Sequence, residues 1–324
     1  MNKRKEFPRL WLGPMAGYSD AAMRRVCFSF GAEAAVSEMI SAKAVVYRDK
    51  KTVALGRLFP DEGPVFIQLF GSEPSIMAEA AAMIAEGYCG ELLPAGIDVN
   101  MGCPVPKITG NGEGSALMKN PALCYDIIRE MRAALSPTMP LSAKFRVGWD
   151  EGQKNAVEVA KAVEEGGADL LFMHGRTKAA MYGGEADWES IGRVAEAVST
   201  PLIGNGDITS AFLAKSRMES YGVYGVMVGR GAIGNPFLFR EIKAYLKGEE
   251  APPPGIEERV KTALWQLSLS VEEKGEAVAV RECRKQIATY LAGFPRVAAA
   301  RAAINASCTY CEIQAILEGF LPSK

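Results

Sequence analysis

A single histidine, His174, occurs in 324 residues. Metal centres built on several imidazoles, whether His₃ or His₂-carboxylate, are thereby excluded. An excess of one charge is missing too: 37 Lys and Arg stand against 38 Asp and Glu, a formal net charge of −1. With a pI near 6.1 this excludes a histone-like polycation, although a neutral chain can still gather positive charge on one face. No apolar run approaches the roughly 18 residues of a membrane span. The seven cysteines follow no framework spacing, and a chain of this length builds a core without disulfides. The opening MNKRKEFPRLWLGPMAG is basic but has no apolar stretch of about 7–15 residues behind it, so it does not read as a secretory signal. These absences predict a soluble protein of a reducing, cytoplasmic compartment, with no membrane association. The 48% apolar and 23% charged composition is that of a globular chain and excludes disorder throughout.

What is present is a rhythm. Apolar runs of strand length recur at residues 10–15, 34–38, 65–69, 97–101, 141–147, 169–173, 201–204 and 225–228. Alanine-rich, helically patterned stretches such as 75–86, 125–135, 155–165 and 188–198 lie between them. Short buried runs alternating with amphipathic helices are βα units around a parallel sheet. Eight units in about 230 residues fit a (β/α)₈ TIM barrel better than an open doubly wound sheet. No G-x-G-x-x-G follows the first run, which weighs against a dinucleotide-binding fold. A closing helix is predicted at 235–247, and GEEAPPPG at 248–255 cannot continue it. Beyond it only helical patterning remains, at 257–274, 277–291, 295–307 and 309–317. The predicted organisation is a catalytic barrel over 1–247, a Pro-rich linker over 248–255 and a small all-helical domain over 256–324.

A barrel of this kind builds its site where the strands end. Those ends read Pro14-Met15-Ala16, Glu38, Gln68, Asn100 to Cys103, Lys144 with Arg146, His174 with Arg176, Asn205-Gly206-Asp207 and Gly229-Arg230. One polar cluster is an ordinary loop; eight in phase with the strand ends are a site. The glycines after the seventh and eighth strands stand where this fold binds phosphate, because glycine lets backbone N–H groups approach an anion and Arg230 adds charge. Tight βα turns need glycine as well. The stretch Asp98 to Lys107 opens a buried strand into a proline-stiffened loop that holds Cys103 over the mouth, whereas Cys27, Cys89 and Cys124 read as small buried hydrophobes.

The segments GPMAGYSD (13–20), SEM (37–39), IQLFG (67–71), DVNMGCPVPK (98–107), GSALMKNP (114–121), KFRVGW (144–149), HGRT (174–177), GNGDI (204–208) and VMVGRGAIGNPFLF (226–239) resemble the tRNA-dihydrouridine synthase family, in the family's order. The resemblance spans roughly residues 13–290. It implies an enzyme that binds FMN at the barrel mouth, reduces it with NADPH, and saturates the C5=C6 bond of selected uridines in tRNA. On that resemblance Pro14, Met15 and Ala16 line the flavin and Gln68 hydrogen-bonds its ring. Lys144 and His174 run along the isoalloxazine and ribityl region, and Asn205, Gly206, Asp207, Gly229 and Arg230 hold ribityl and phosphate. Asn100 meets the uracil edge, with Arg146 and Arg176 on the tRNA side, and Cys103 donates the proton. A free-pyrimidine flavin reductase would leave the helical region unused. A non-catalytic RNA scaffold would have no need of Cys103 and Lys144.

In the helical region residues 278–304 carry Arg281, Arg284, Lys285, Arg296 and Arg301 against Glu282 alone. Arg281 and Lys285 are four apart and share a helix face with Arg284 beside them; the resemblance makes this face a grip on tRNA phosphates. The family often has histidine where this chain has Gln286. Cys308-Thr-Tyr-Cys311 with Cys283 lacks the fourth ligand of a closed zinc or Fe–S site, so no metal is expected. No feature calls for an obligatory protein partner.

Overall fold

The computed structural model describes residues 6–322. Its strands are β1 (Leu10–Leu12), β2 (Ala34–Val36), β3 (Ile40–Ser41), β4 (Val65–Phe70), β5 (Gly96–Met101), β6 (Leu141–Arg146), β7 (Leu170–His174), β8 (Leu202–Asn205) and β9 (Gly225–Val228). All pairings are parallel, in the order β2-β1-β9-β8-β7-β6-β5-β4, and β2 also pairs with β4. The sheet therefore closes into an eight-stranded barrel. The two-residue β3 only extends the pairing at the far end of β4, through Ile40 beside Leu69 and Ser41 beside Phe70.

Alternation along each strand sorts side chains between helices and interior. Ile67, Leu69, Val99, Ala143, Phe145, Leu171 and Met173 pack outward in the main helix–sheet core. Inward lie Trp11, Phe66, Leu170, Phe172, Ile203 and Met227. Trp11 is fully buried, with Phe66 and Phe172 edge-on to it at 5.1 and 4.9 Å between ring centres. Its indole N–H donates to the Pro8 carbonyl at 2.7 Å, so the largest ring in the barrel has no unpaired polar atom. The remaining interior positions, Gln68, Asp98, Asn100, Ser142, Lys144, His174 and Asn205, are polar and form the site described below.

Local rules place the surrounding helices. Asn120 accepts from Leu123 N–H ahead of Pro121, which starts the Pro121–Ala134 helix four residues before its apolar pattern begins. Ser210 caps Ala211–Tyr221, and Gly222 at φ +62° ends it in the left-handed region open to glycine. Residues 251–255 carry neither helix nor strand. Four helices follow, Ile256–Lys274, Glu276–Thr289, Val297–Ala306 and Tyr310–Glu318, packed around Val260, Leu267, Cys283, Ile287, Tyr290, Ile304 and Leu317.

These helices dock on the barrel through apolar and ionic contacts. Phe237, from the closing helix Phe237–Leu246, lies in their core and meets Phe30 edge-on at 4.7 Å. Lys274 bridges Asp20 at 2.6 Å and Glu282 at 3.1 Å. Among the described residues no helix is long and apolar enough to cross a membrane.

Replacing Trp11 by alanine removes the plug between Phe66 and Phe172 at a cost of about 3–5 kcal/mol. A urea titration followed by far-UV circular dichroism should show a midpoint well below that of the parent. An unchanged midpoint would mean that the apolar half of the barrel does not support the fold in this way.

Candidate active site

Two connected groups of polar side chains fill the barrel mouth. The first runs sideways across β4, β5 and β6. Ser142 Oγ donates to Asp98 Oδ1 at 2.6 Å, and Gln68 Nε2 donates to Asp98 Oδ2 at 2.7 Å. Gln68 Oε1 accepts from Asn100 Nδ2 at 2.8 Å. Asn100 Oδ1 in turn accepts the backbone N–H groups of Gly102 and Cys103 at 3.1 and 2.8 Å. A carboxylate only accepts, so Asp98 fixes which way the Gln68 amide points, and Gln68 fixes Asn100. Burial raises the Asp98 carboxyl to about 6, against the lowering effect of Ser142, Gln68 and Lys144.

The loop carrying Cys103 is clamped from the other side as well. Ser115 donates to the Cys103 carbonyl from its N–H at 3.1 Å and from Oγ at 2.9 Å. The turn before it needs Gly114: φ is +60°, and a Cβ there would stand 2.9 Å from the Cys103 carbonyl oxygen. Burial raises the Cys103 thiol above its ordinary value, although the Val105 N–H and the charges of Arg146 and Lys144 pull it down. The group is a thiol at neutral pH.

The second group joins β6, β7, β8 and β9. Lys144 Nζ lies 3.2 Å from Asn205 Oδ1, whose Nδ2 donates to the Met227 carbonyl at 2.8 Å. Burial, then the charge of Arg146, lowers the Lys144 ammonium to about 8. Arg176 donates to both carboxylate oxygens of Asp207 at 2.8 Å, and Arg230 reaches the same carboxylate at 3.2 Å. Asp207 titrates below its ordinary value: burial opposes this, but the bonds from Arg176 and Ala186 N–H and the two guanidinium charges outweigh it. Arg176 Nη1 also sits 3.3 Å from His174 Nε2. Guanidinium can only donate, so Nε2 accepts and the ring proton is on Nδ1. Burial, with Lys144, Arg146, Arg176 and Arg230 nearby, drives His174 well below its ordinary pKa and keeps it neutral.

Gln68, Asn100, Cys103, Lys144, His174, Asn205, Asp207 and Arg230 thus meet at one mouth. Met15 is there too, on the loop after β1: a Cβ at Gly229 would find only its Sδ at 3.8 Å and Asn205 Nδ2 at 3.9 Å. Pro14 and Ala16 flank it, and the Met15 N–H is held by Ser19 Oγ at 2.7 Å. At Gly206, φ is +138° and a Cβ would stand 2.5 Å from Ala186 Cβ, so the turn accepts glycine alone.

Arg146 and Arg176, expected on the tRNA side, are buried at the mouth. They are 3% and 4% exposed. Arg146 donates to the carbonyls of Gly102, Thr177 and Met181 at 2.7–2.9 Å; Arg176 holds those of Gly183 and Gly184 besides Asp207. Both guanidiniums brace loops from beneath.

On the appended helices Arg281 and Lys285 are exposed, while Arg284 is partly covered and donates to the Asn305 carbonyl at 2.8 Å. Gln286 is 2% exposed, accepts from Gln266 Nε2 at 2.8 Å and faces the Gly17 carbonyl at 3.5 Å, within the contact between helices and barrel. Cys283 is buried in the helical core; Cys308 and Cys311 are exposed. Two members of the site had no role in the sequence reading, Asp98 and Ser142. The signal for Asp98 was its spacing two residues before Asn100 on one strand face; Ser142 carried none.

Among solved structures the fold is similar to 6-hydroxypseudooxynicotine amine oxidase from Pseudomonas geniculata, with TM-score 0.58, 15% identity, and coverage of 74% of this chain and 47% of that one. It is similar also to histamine dehydrogenase from Rhizobium, with TM-score 0.55, 16% identity, and 81% and 49% coverage. The chain spans about half the length of those proteins, and likeness at this identity is one of fold. Sequence relatives reach further. A probable tRNA-dihydrouridine synthase of Rickettsia conorii is 39% identical over 296 residues, 91% of this chain and 87% of that one. The tRNA-dihydrouridine synthase B of Pseudomonas putida is 39% identical over 299 residues, covering 92% and 86%. The dihydrouridine synthase (Dus) family matches residues 11–320. With that match across nearly the whole chain and the Asn100–Cys103 loop braced over a closed barrel, the chain belongs to the dihydrouridine synthase family.

Proposed function

We propose that this enzyme reduces the C5=C6 bond of specific uridines in tRNA to 5,6-dihydrouridine, using FMN reduced by NADPH, in the cytoplasm. One observation carries the reading: Cys103 is held by hydrogen bonds to its N–H and carbonyl at a polar barrel mouth that also contains Lys144, a half-buried and sparingly bonded cation. The residues fit a flavin. The Lys144 ammonium has three donors and, among the described residues, one hydrogen-bond partner, at 3.2 Å, and the backbone at Gly229 stands open where a side chain would otherwise intrude.

Arg230, 53% exposed at its side chain, with Gly206, Gly229 and Asn205, would hold the phosphate and ribityl chain, and Asp207 would keep Arg230 in place. Pro14, Met15 and Ala16 would line one face of the ring; Gln68, Lys144 and neutral His174 would meet its polar edge. FMN held by these residues would supply hydride chemistry toward uracil C6, with NADPH as the reductant. The chain supplies the rest. Charge building toward uracil C4–O4 meets the second amide hydrogen of Asn100, whose present acceptor is only the Met39 thioether at 3.4 Å. C5 then takes the proton from the Cys103 thiol, and the thiolate recovers one from solvent. NADPH, one proton and uridine thus become NADP⁺ and dihydrouridine. A thiol near its ordinary pKa or above donates at neutral pH. A uridine stacked in folded tRNA cannot reach this recessed site, so it must be extruded at a cost of a few kcal/mol. The exposed Arg281 and Lys285, helped by Arg284 where it surfaces, would grip the RNA backbone meanwhile.

Two outcomes test the assignments. The purified protein should carry about one non-covalent FMN, read from its visible absorption after heat release, and Arg230→Ala should lose most of it on gel filtration. Retention equal to the parent, or release of FAD, would remove Arg230 from the phosphate site. Cys103→Ala should still be reduced by NADPH and still bind tRNA, yet its reoxidation by tRNA under anaerobic stopped flow should slow by about 10²–10⁴-fold. A parental rate would return Cys103 to a packing role.

A further inference from the structure

Trp149 closes the segment 144–149 on the loop after β6 and has no part in the chemistry above. Lys119 Nζ stands 3.4 Å from the centre of its ring and Lys178 Nζ 4.4 Å. One ammonium against an indole is a common attraction. Two on the same ring repel each other, and neither forms an ion pair with a carboxylate among the described residues. Of the neighbouring acids, Glu151 and Asp187 both bind Lys154, at 2.7 and 3.4 Å, and Asp150 accepts the Gly152 N–H at 2.9 Å. A cavity of about 440 Å³ lined by Lys119, Trp149, Lys154 and Asn155 opens beside the ring. Lys119 of this pair lines the cavity while Lys178 sits against the same ring, and two gathered cations without a carboxylate partner make a seat for an anion.

All three segments that build this seat are tied to the loop carrying Cys103. Lys119 ends the 3₁₀ turn Gly114–Lys119, whose Ser115 grips the Cys103 carbonyl. Trp149 follows Arg146, which donates to the Gly102 carbonyl at 2.7 Å. Lys178 follows Thr177, whose carbonyl accepts from Arg146 at 2.9 Å, and its own N–H donates to the Gly148 carbonyl at 2.9 Å. An anion held here is therefore held in fixed register with the thiol.

We propose that Lys119 and Lys178, gathered by Trp149, bind a backbone phosphate of the RNA substrate near the extruded uridine. The inference rests on the functional reading above and adds a site to it. Extrusion frees the backbone at the target nucleotide; a phosphate held at Lys119, with the Lys178 charge on the same ring, offsets the repulsion of the two ammoniums and sets where the displaced base enters the mouth.

The test measures binding of an unmodified tRNA transcript to the flavin-loaded protein by fluorescence anisotropy between about 50 and 300 mM KCl. Lys119→Ala with Lys178→Ala should weaken binding about tenfold near 150 mM and flatten the slope of log K against log salt by about 1, since fewer counterions are released. The loss should fall on KM for tRNA more than on kcat. Trp149→Leu keeps both charges but not their gathering; it should weaken binding several-fold with the salt slope retained, which a merely structural change at the lysines would not reproduce. Parental affinity and slope in the double variant, with the parent binding and reducing tRNA, would overturn this inference alone. A parent protein that neither binds nor reduces tRNA would overturn the reading of function.

Discussion

Cys103 stays where it is because hydrogen bonds run sideways through the barrel to reach it. The Asp98 carboxylate accepts from Ser142 and Gln68, Gln68 accepts from Asn100, and Asn100 accepts from the backbone at Gly102 and Cys103. Each link fixes the direction of the next, since an amide that points one way cannot also serve the other. The cost is a carboxyl fully buried without a direct ion pair, which the nearby Lys144 charge only partly offsets, and it rises to about 6. Charge-assisted bonds of 2.6–2.7 Å offset that cost. The apolar plug around Trp11 beneath, and the Gly114–Ser115 clamp above, leave this chain of bonds no room to relax.

The electrostatics of the mouth follow from the same enclosure. Lys144, Arg146, Arg176 and Arg230 converge on it, and Asp98 and Asp207 answer them from opposite sides. The cationic excess holds His174 neutral. Burial keeps Cys103 protonated despite that excess, so the site holds a cation and an acid together without one cancelling the other. Arg146 and Arg176 spend their charge on loop carbonyls, which makes rigid the walls against which substrate and cofactor would rest.

Much of this was legible in the sequence. All eight barrel strands stood out because each ends in glycine or polar residues where the apolar run stops; β3 escaped because Ile40 and Ser41 form no run at all. The helix Ala211–Tyr221 left no apolar stripe, and only its cap Ser210 and its stop Gly222 marked it. Arg146 and Arg176 were legible as charges at strand ends, but sequence gives a charge and not its accessibility. The carbonyls that absorb them come from residues 177–184 and 102, brought in by the fold. Gln286 gave no hint that it faces Gly17 across the contact between helices and barrel. Asp98 was visible as a residue and silent as a partner, since its bonds cross three strands.

The most direct test of the account is chemical. Purified protein, FMN and NADPH are incubated anaerobically with an unmodified tRNA transcript and, separately, with free uridine, and the nucleosides are measured by mass spectrometry. The account predicts that discrete positions in the tRNA gain two hydrogens and that free uridine is left essentially unreacted. Unchanged tRNA, or free uridine reduced as readily as tRNA, would contradict it.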